Sequence, residues 1–349
     1  MTKYLVKKYR NYKEWKRIVW NAKCVYKIPF LERVKYALKG FSADEAYFYN
    51  FKDNDYREYI SEYERLRSRE INGPYKFILD DKLIFEEVVG KYVRVPMNYA
   101  CILDGVLYGL HDNGMNNDNV IDYLRKYRTT VLKWNGRGGG EGTYVISFDD
   151  VGFSVNGVNK DVEEVKDLFN RRGDAILCEY MTQSEFSSSL YPYTTNTIRI
   201  VCAKKKGERD AKFIKAIQRV GCQESIPVDN VSMGGLTLDI NKSTGELGVG
   251  IAKYGRPDRV MVPFRNHPDS GGAFVGKAIP DWENIVQEVV ALTNKLPFLN
   301  YVAWDILLTD DGFCVIEGNS SSGCGIFQME KGVRNSELGD IYRSYKIID

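Results

Sequence analysis

The spacing of apolar residues changes near residue 128, and that change divides the chain. Before it, apolar positions recur at helical intervals over 12–26 and 42–69, and Gly and Pro are sparse until Ile71-Asn72-Gly73-Pro74. Residues 1 to about 72 therefore read as helical. Asp80 and Asp81 precede a helical stretch at 82–89 that Gly90 closes, and a strand-rich stretch follows from 92 to 107. Asp118 is placed to cap a helix at 118–127. Beyond it, alternation with period two predicts strands at 129–133, 143–148, 176–180, 196–203, 212–219 and 236–240, then a hairpin at 302–309 and 313–319. Helices interrupt this run only at 162–171 and 282–296. Short connections between successive strands predict antiparallel sheets with helices packed on them, an α+β fold. The shifts in character divide the chain at 1–75, 76–125, 126–185 and 186–349.

The last hairpin carries the most specific chemistry. Asp310-Asp311-Gly312 reads as a three-residue connection, with glycine where a left-handed conformation is wanted. If Thr309 then faces Phe313, Leu307 faces Val315 and Asp305 faces Glu317, with Asn319 on the same side two residues on. Carboxylates opposed across a ladder have Cβ atoms roughly 4.5–5.5 Å apart, which is destabilising unless a cation lies between them. A Mg²⁺ ion held by hard oxygens and completed by water and phosphate answers that need. The plain alternative is a solvated hairpin whose acids face water.

Composition narrows the class. With 349 residues, 44% hydrophobic and 28% charged, the chain buries a sizeable core and divides into two or three subdomains. No apolar run approaches a membrane span, and the first residues lack the apolar region of a signal peptide. Seven cysteines without a CxxC pair, and only His111 and His267 as imidazoles, argue against a zinc site and a disulfide framework, so a reducing cytoplasm is expected. Net charge is only +2, yet residues 1–40 hold twelve Lys or Arg against Glu14 and Glu32. That aromatic-rich basic leader either docks on an anionic lipid surface or acidic polymer, or packs as a basic helix on an acidic body. No nucleic-acid-binding module accompanies the charge.

Further motifs lie between. Gly136, Gly138, Gly139, Gly140 and Gly142 punctuate KWNGRGGGEGT after a strand ending in Lys133. Backbone free of Cβ atoms wraps closely around phosphate oxygens, but strand rather than helix follows, which excludes Walker A and Rossmann contexts. A flap between antiparallel strands remains, with Lys133 at its base. In ILCEYM, backbone groups from Glu179 through Tyr180 to Met181 are placed to pair with an adenine edge and Glu185 to meet a ribose hydroxyl; a buried strand end is the alternative. In TNTIRIV, alternation puts Ile198 and Ile200 on one face and Arg199 and Val201 on the other, so mid-strand Arg199 needs an anionic partner, either a structural carboxylate or a phosphate. The next strand places Lys215 and Arg219 on a face with Phe213 and Ile217. In DNVSMGG, Asp229, Asn230, Gly234 and Gly235 form a turn open to a close-approaching ligand.

In this order the motifs resemble the linear layout of the ATP-grasp ligases from about residue 80 to 325. The similarity is greatest to the sugar-transfer-associated ATP-grasp proteins found with surface-polysaccharide biosynthesis, through KGFSADEAYFYNF at 39–51, DDKLIFEEV at 80–88, TNTIRIV and HPDSGGAFVGKAIPDW at 267–282. The resemblance implies an ATP-grasp fold with a helical N-terminal extension, a subdomain preceding the ATP-grasp unit at 76–125, a lid at 126–185 and a larger subdomain at 186–349. It implies ATP and Mg²⁺ as cofactors. Lys133 and the Gly138, Gly139, Gly140, Gly142 flap would cover the phosphates, and Glu179, Tyr180, Met181 and Glu185 would hold the adenosine. Arg199 and Arg219 would face the transferred phosphoryl group, and Asp305, Glu317 and Asn319 the metal. Asn230, Gly234 and Gly235 would border the acceptor, with His267 either contacting substrate or serving as a base. An arginine that some relatives carry two residues before the metal aspartate is Ala303 here, and Lys82 is a candidate second ATP lysine. The activity implied is carboxylate–amine ligation through an acyl phosphate on a carboxylate-bearing sugar and an amine. A peptide or amino-acid ligase of the glutathione-synthetase-like type, and a non-catalytic binder of anionic glycans, are the rival readings.

Overall fold

The computed structural model describes residues 2–134, 142–170 and 173–349, with side chains from residue 9 onward. Its strands form two antiparallel seven-stranded sheets, an α+β architecture with helices packed against both. The first sheet has the order β2-β1-β7-β3-β4-β5-β6. Its members are β1 (Asn98–Leu103), β2 (Val106–Gly109), β3 (Thr129–Trp134), β4 (Thr143–Phe148), β5 (Phe153–Val155), β6 (Val158–Lys160) and β7 (Ala175–Glu179). The second has the order β12-β11-β10-β9-β8-β13-β14. It contains β8 (Ile198–Ala203), β9 (Lys212–Val220), β10 (Leu236–Ile240), β11 (Leu247–Ala252), β12 (Pro263–Phe264), β13 (Tyr301–Thr309) and β14 (Gly312–Asn319). Strands β1 and β2, from the 76–125 segment, join the first sheet through β7.

The sequence YVAWDILLT explains why β13 lies inside its sheet. All but its last residue are buried, because both faces are covered. Val302, Trp304, Ile306 and Leu308 join a core with Trp282, Ile285, Val289 and Leu292 of the helix Trp282–Lys295. Tyr301 and Ala303 join another with Leu338, Ile341 and Tyr342 of the helix Glu337–Ser344. Asp305 falls in the second alternation series, and so does Arg199 on β8, beside Val201 and Ala203. Asn72, in the turn that ends the N-terminal region, pins the start of β13: its side chain donates to the Tyr301 carbonyl at 2.7 Å and accepts from the Asn300 amide at 2.8 Å.

Several local expectations are corrected. Residues 92–97 are not strand, and β1 begins at Asn98. Asn119, not Asp118, occupies the cap position of the helix Val120–Tyr127, while Asn116 accepts the Asp118 and Asn119 amides instead. Phe213 leaves the face of Arg219 because a bulge at Ile214, where Cys202 pairs with Phe213 and Val201 with Lys215, turns it toward Trp282. The turn of the last hairpin is also shorter: Thr309 pairs with Gly312 and Leu308 with Phe313. A bulge at Ile316 then restores the expected Asp305–Glu317 pairing.

The N-terminal region is a series of short helices, among them Ala43–Phe48 and Glu62–Leu66, each started by a capping box, Ser42 with Glu45 and Ser61 with Glu64. Aromatic contacts hold it together, including Tyr49 stacked on Tyr59 at 4.6 Å and Phe48 edge-on to Tyr254 at 5.2 Å. Its first helix, Thr2–Trp15, is tied down through Trp15 Nε1, which donates to the Ala37 carbonyl at 2.9 Å. Lys13, Lys16 and Arg17 are exposed. No described helix is long and apolar enough to cross a membrane.

Candidate functional site

A cleft of about 470 Å³ opens between the two sheets and takes its walls from both. On the first-sheet side, alternation along β3 turns Val131 and Lys133 into it, with Thr143 and Val145 from β4. Strand β7 ends at Glu179, and Tyr180 and Met181 continue the wall. Glu179 is fixed in place: its amide donates to the Met97 carbonyl at 2.8 Å, its carboxylate accepts the Met97 amide at 3.3 Å, and Arg94 stands 3.7 Å away. Lys82 reaches the same wall from the first turn of the helix Lys82–Val89, which Asp81 caps.

The opposite wall is a charge network on β8, β9, β13 and β14. Arg199 grips Asp305 with two contacts of 2.6 Å. Arg219 stands 3.2 Å from Asp305 and 3.2 Å from Asp229, and donates to the Thr197 hydroxyl at 3.0 Å. Thr197 in turn donates from its backbone to Asp229 at 2.8 Å. Burial alone would raise the Asp305 carboxyl, but Arg199 and Arg219 outweigh it and hold the group below its ordinary range. Asp305 raises Arg199 in return, against burial. The pair therefore stays ionised, and the partner that mid-strand Arg199 requires is, in this structure, a carboxylate. Repulsion between Asp305 and Glu317 does not by itself demand a metal, because two guanidiniums already balance Asp305.

A metal site is nonetheless compatible with the donors present. Glu317 is exposed on the cleft wall and Asn319 half-buried beside it, with Asn319 Nδ2 3.3 Å from the Ala303 carbonyl and 3.5 Å from Asp305. Two carboxylates and an amide oxygen are the hard donors that Mg²⁺ takes, phosphate and water supplying the rest. Direct ligation by Asp305 requires Arg199 to share one of its oxygens. Among the described residues, no group of three or more His, Cys, Asp or Glu could hold a metal ion, so this set would bring only two carboxylates and one amide.

Of the residues singled out in the sequence, Lys133, Glu179, Tyr180, Met181, Arg199, Arg219, Asn230, Asp305, Glu317 and Asn319 line this one cleft. Gly138, Gly139 and Gly140 lie outside the described residues. Gly142 has φ +78° and sits against Trp134, where an added Cβ would come within 2.9 Å of the indole. Glu185 does not line the cleft: it is exposed, and its amide meets Asp310 at 3.2 Å in the hairpin turn. Gly234 and Gly235 are set back as well. They allow close approach of their own turn rather than of a ligand, since a Cβ on Gly235 would lie 2.9 Å from the Asp229 and Asn230 carbonyls.

His267 is 2% exposed and away from the cleft. It stacks on Tyr191 at 4.2 Å, its Nδ1 accepts the Asp269 amide at 3.1 Å, and Nε2 therefore carries the proton toward the Gly221 carbonyl at 2.8 Å. Burial lowers its pKa, so the ring is a neutral bracket between two loops.

Sequence reasoning missed the far end of the cleft, where Glu62, Lys253 and Tyr254 line it. A signal was present in the two S-x-x-E capping boxes, whose helices bring Glu45 and Glu62 together, the Glu62 amide donating to Glu45 at 2.8 Å.

The sugar-transfer associated ATP-grasp family matches residues 63–340. No curated protein sequence matches the chain. Among solved structures, the ATP-grasp ligase PsnB, complexed with a phosphomimetic variant of its minimal precursor, Mg and ADP, is 13% identical over 78% of this chain and 60% of its own, with a TM-score of 0.40. D-alanyl-alanine synthetase A from Vibrio cholerae is 9% identical over 79% and 68%, with a TM-score of 0.44. D-alanine–D-alanine ligase from Bacillus anthracis is 12% identical over 78% and 66%, with a TM-score of 0.37. The chain thus spans 60% of the length of PsnB. Because the family match runs from residue 63 to residue 340, taking in both sheets and every strand between them, the chain belongs to the sugar-transfer associated ATP-grasp family.

Proposed function

We propose that this chain is an ATP- and Mg²⁺-dependent carboxylate–amine ligase that activates a saccharide carboxylate, such as that of a uronic acid, as an acyl phosphate and joins it to an amine. The observation that carries the reading is the convergence on one cleft of Lys82 and Lys133 from one wall and Arg199, Arg219, Asp305, Glu317 and Asn319 from the other. The sugar rests on the family to which the chain belongs.

Each group has work suited to its place. Lys133, which precedes the glycine-rich segment in sequence, and Lys82 neutralise phosphate oxygens, while Glu179 and the backbone through Tyr180 and Met181 orient the adenosine. Arg219, held by Asp229 and Thr197, presents a fixed guanidinium to the transferred group, and Arg199 stands beside it. Asp305, Glu317 and Asn319 hold the magnesium, which supplies charge neutralisation on the triphosphate. Phosphoryl transfer of this kind depends on alignment and preorganised charge, so no nucleophilic side chain is required. Asn230 borders the acceptor side.

The test is incubation with ATP, Mg²⁺ and pairs of uronic acids and amines, following ADP release and the mass of the conjugate. ADP together with a product lighter by one water than the sum of its substrates is the expected result. A chain that binds nucleotide yet releases no ADP with any pair would sink the proposal.

A further inference from the structure

The far end of the cleft holds a cation that no acceptor touches among the described residues. Lys253 follows β11 directly, is 8% exposed and lines the cleft. Its ammonium sits among rings, 4.8 Å from the centroid of Phe48, 5.7 Å from Tyr254 and 6.0 Å from Tyr49. Among the described residues it makes no hydrogen bond and no ion pair. Withdrawing an ammonium from water without a hydrogen-bond acceptor is costly, and aromatic faces offset only part of that cost.

The nearby acids Glu45 and Glu62 feel the charge of Lys253, which lowers both carboxyls, but their hydrogen bonds are made to other groups. Glu62 is held by Arg65 through Nε at 2.9 Å and by the Gly325 amide at 3.3 Å. Glu45 accepts the Ser42 amide at 2.8 Å, the Ser42 hydroxyl at 2.9 Å and the Glu62 amide at 2.8 Å. Burial and the neighbouring Glu62 push Glu45 up to about 7, so near neutral pH it carries only part of its charge. Gly325 leaves room for the lysine tip: a Cβ there would lie 2.6 Å from Nζ.

Position separates this cation from the reacting centre. In the sheet, β11 is two places from β9, which bears Arg219, and two strand spacings amount to roughly 10 Å. A carboxylate aligned for phosphorylation beside Arg199 and Arg219 does not reach Lys253.

We infer that Lys253 anchors an acceptor subsite, binding a second anionic group, a carboxylate or a phosphate, that the acceptor carries beyond its reacting carboxylate. This inference rests on the ligase reading for the word acceptor, but its physical content is an anion site at Lys253. A sugar acid with a further acidic unit, or a phosphorylated sugar, meets the requirement; a neutral monosaccharide does not.

The experiment titrates the full chain, saturated with Mg²⁺ and a non-hydrolysable ATP analogue, with digalacturonate in one arm and inorganic phosphate in the other, by calorimetry. The wild type is expected to bind at least one of them, and which one identifies the group. Lys253→Met should weaken that binding tenfold or more, Lys253→Arg should retain most of it, and both should bind the analogue within twofold of wild type. Gly325→Ala, which displaces Nζ while keeping the charge, should weaken the anion as well and serves if Lys253→Met fails to fold. Wild-type anion affinity in Lys253→Met or in Gly325→Ala, or no binding of either anion to the wild type, overturns the subsite. Failure of the ligase reading shows separately, as no ADP release from ATP with any uronic acid and amine pair.

Discussion

Arg199 and Asp305 are direct cross-strand partners on β8 and β13, and both carboxylate oxygens are engaged, Nε to Oδ1 and Nη2 to Oδ2 at 2.6 Å each. The register of two adjacent strands thus builds a bidentate pair on the cleft wall, the geometry in which charge-assisted hydrogen bonds are strongest. With Asp305 2% exposed, removing one partner strands the other. Asp305→Asn is expected to cost about 3–5 kcal/mol in urea unfolding. The double replacement Arg199→Met with Asp305→Leu should recover most of that loss while ATP turnover stays abolished. Asp305→Asn as stable as wild type would show that Arg199 finds enough acceptors in Ser322 and the new amide oxygen, while Arg219 keeps Asp229.

Lys82 and Lys133 line the cleft, and their side-chain ammoniums have no hydrogen bond or ion pair within the described residues. On the proposed reading, their charge serves the nucleotide phosphates more than the fold. Methionine at either position should leave the unfolding midpoint nearly unchanged and weaken nucleotide binding by about 1.5–3 kcal/mol, the worth of a charge-assisted hydrogen bond. Equilibrium binding of the ATP analogue measures this directly. Unaltered affinity in both variants would remove these lysines from the nucleotide site.

His267 is buried, neutral and committed at both ring nitrogens, and burial depresses its pKa. For a base so depressed, the stabilising contribution is complete above the unfolded value of about 6.5 and is lost as pH falls through the lower folded value. His267→Gln should lower the melting temperature above pH 7 yet leave the shape of the pH–rate profile unchanged. Disappearance of one limb of that profile would instead make His267 a proton carrier in the reaction.

The parts of this site that were legible in the sequence are those set by local periodicity. Alternation along TNTIRIV places Arg199 opposite the Ile198 and Ile200 face without knowledge of the neighbouring strand, and the structure agrees. The Asp305–Glu317 pairing was reached through a longer turn than the one found, and the bulge at Ile316 compensates for the difference. Bulges depend on the partner strand, which is why Phe213 could not be placed from its own strand. The far wall was hidden for a related reason. Glu62 and Lys253 are far apart in sequence, and their shared environment arises only when the N-terminal aromatic cluster docks beside β11. His267, in a glycine-rich loop, resembled a chemical residue until Tyr191 and Gly221 were seen to enclose it.

Glu45 gives the N-terminal region its own pH dependence. Its carboxyl is fully buried, and desolvation together with Glu62 outweighs the amides of Ser42 and Glu62 to raise it from an ordinary value of 4.5 to about 7. A raised acid favours folding while protonated, so its contribution is complete below about pH 4.5 and is lost progressively as pH rises toward 7 and beyond. The full span amounts to about 3 kcal/mol at 1.36 kcal/mol per unit. The unfolding free energy of the wild type should therefore fall between pH 5 and pH 8 by an amount that Glu45→Gln largely removes, at the cost of one amide contact and so with lower stability at pH 5. Equal slopes for the two proteins across that interval would show that Glu45 stays charged beside Lys253, and the ammonium would then have its counter-ion after all.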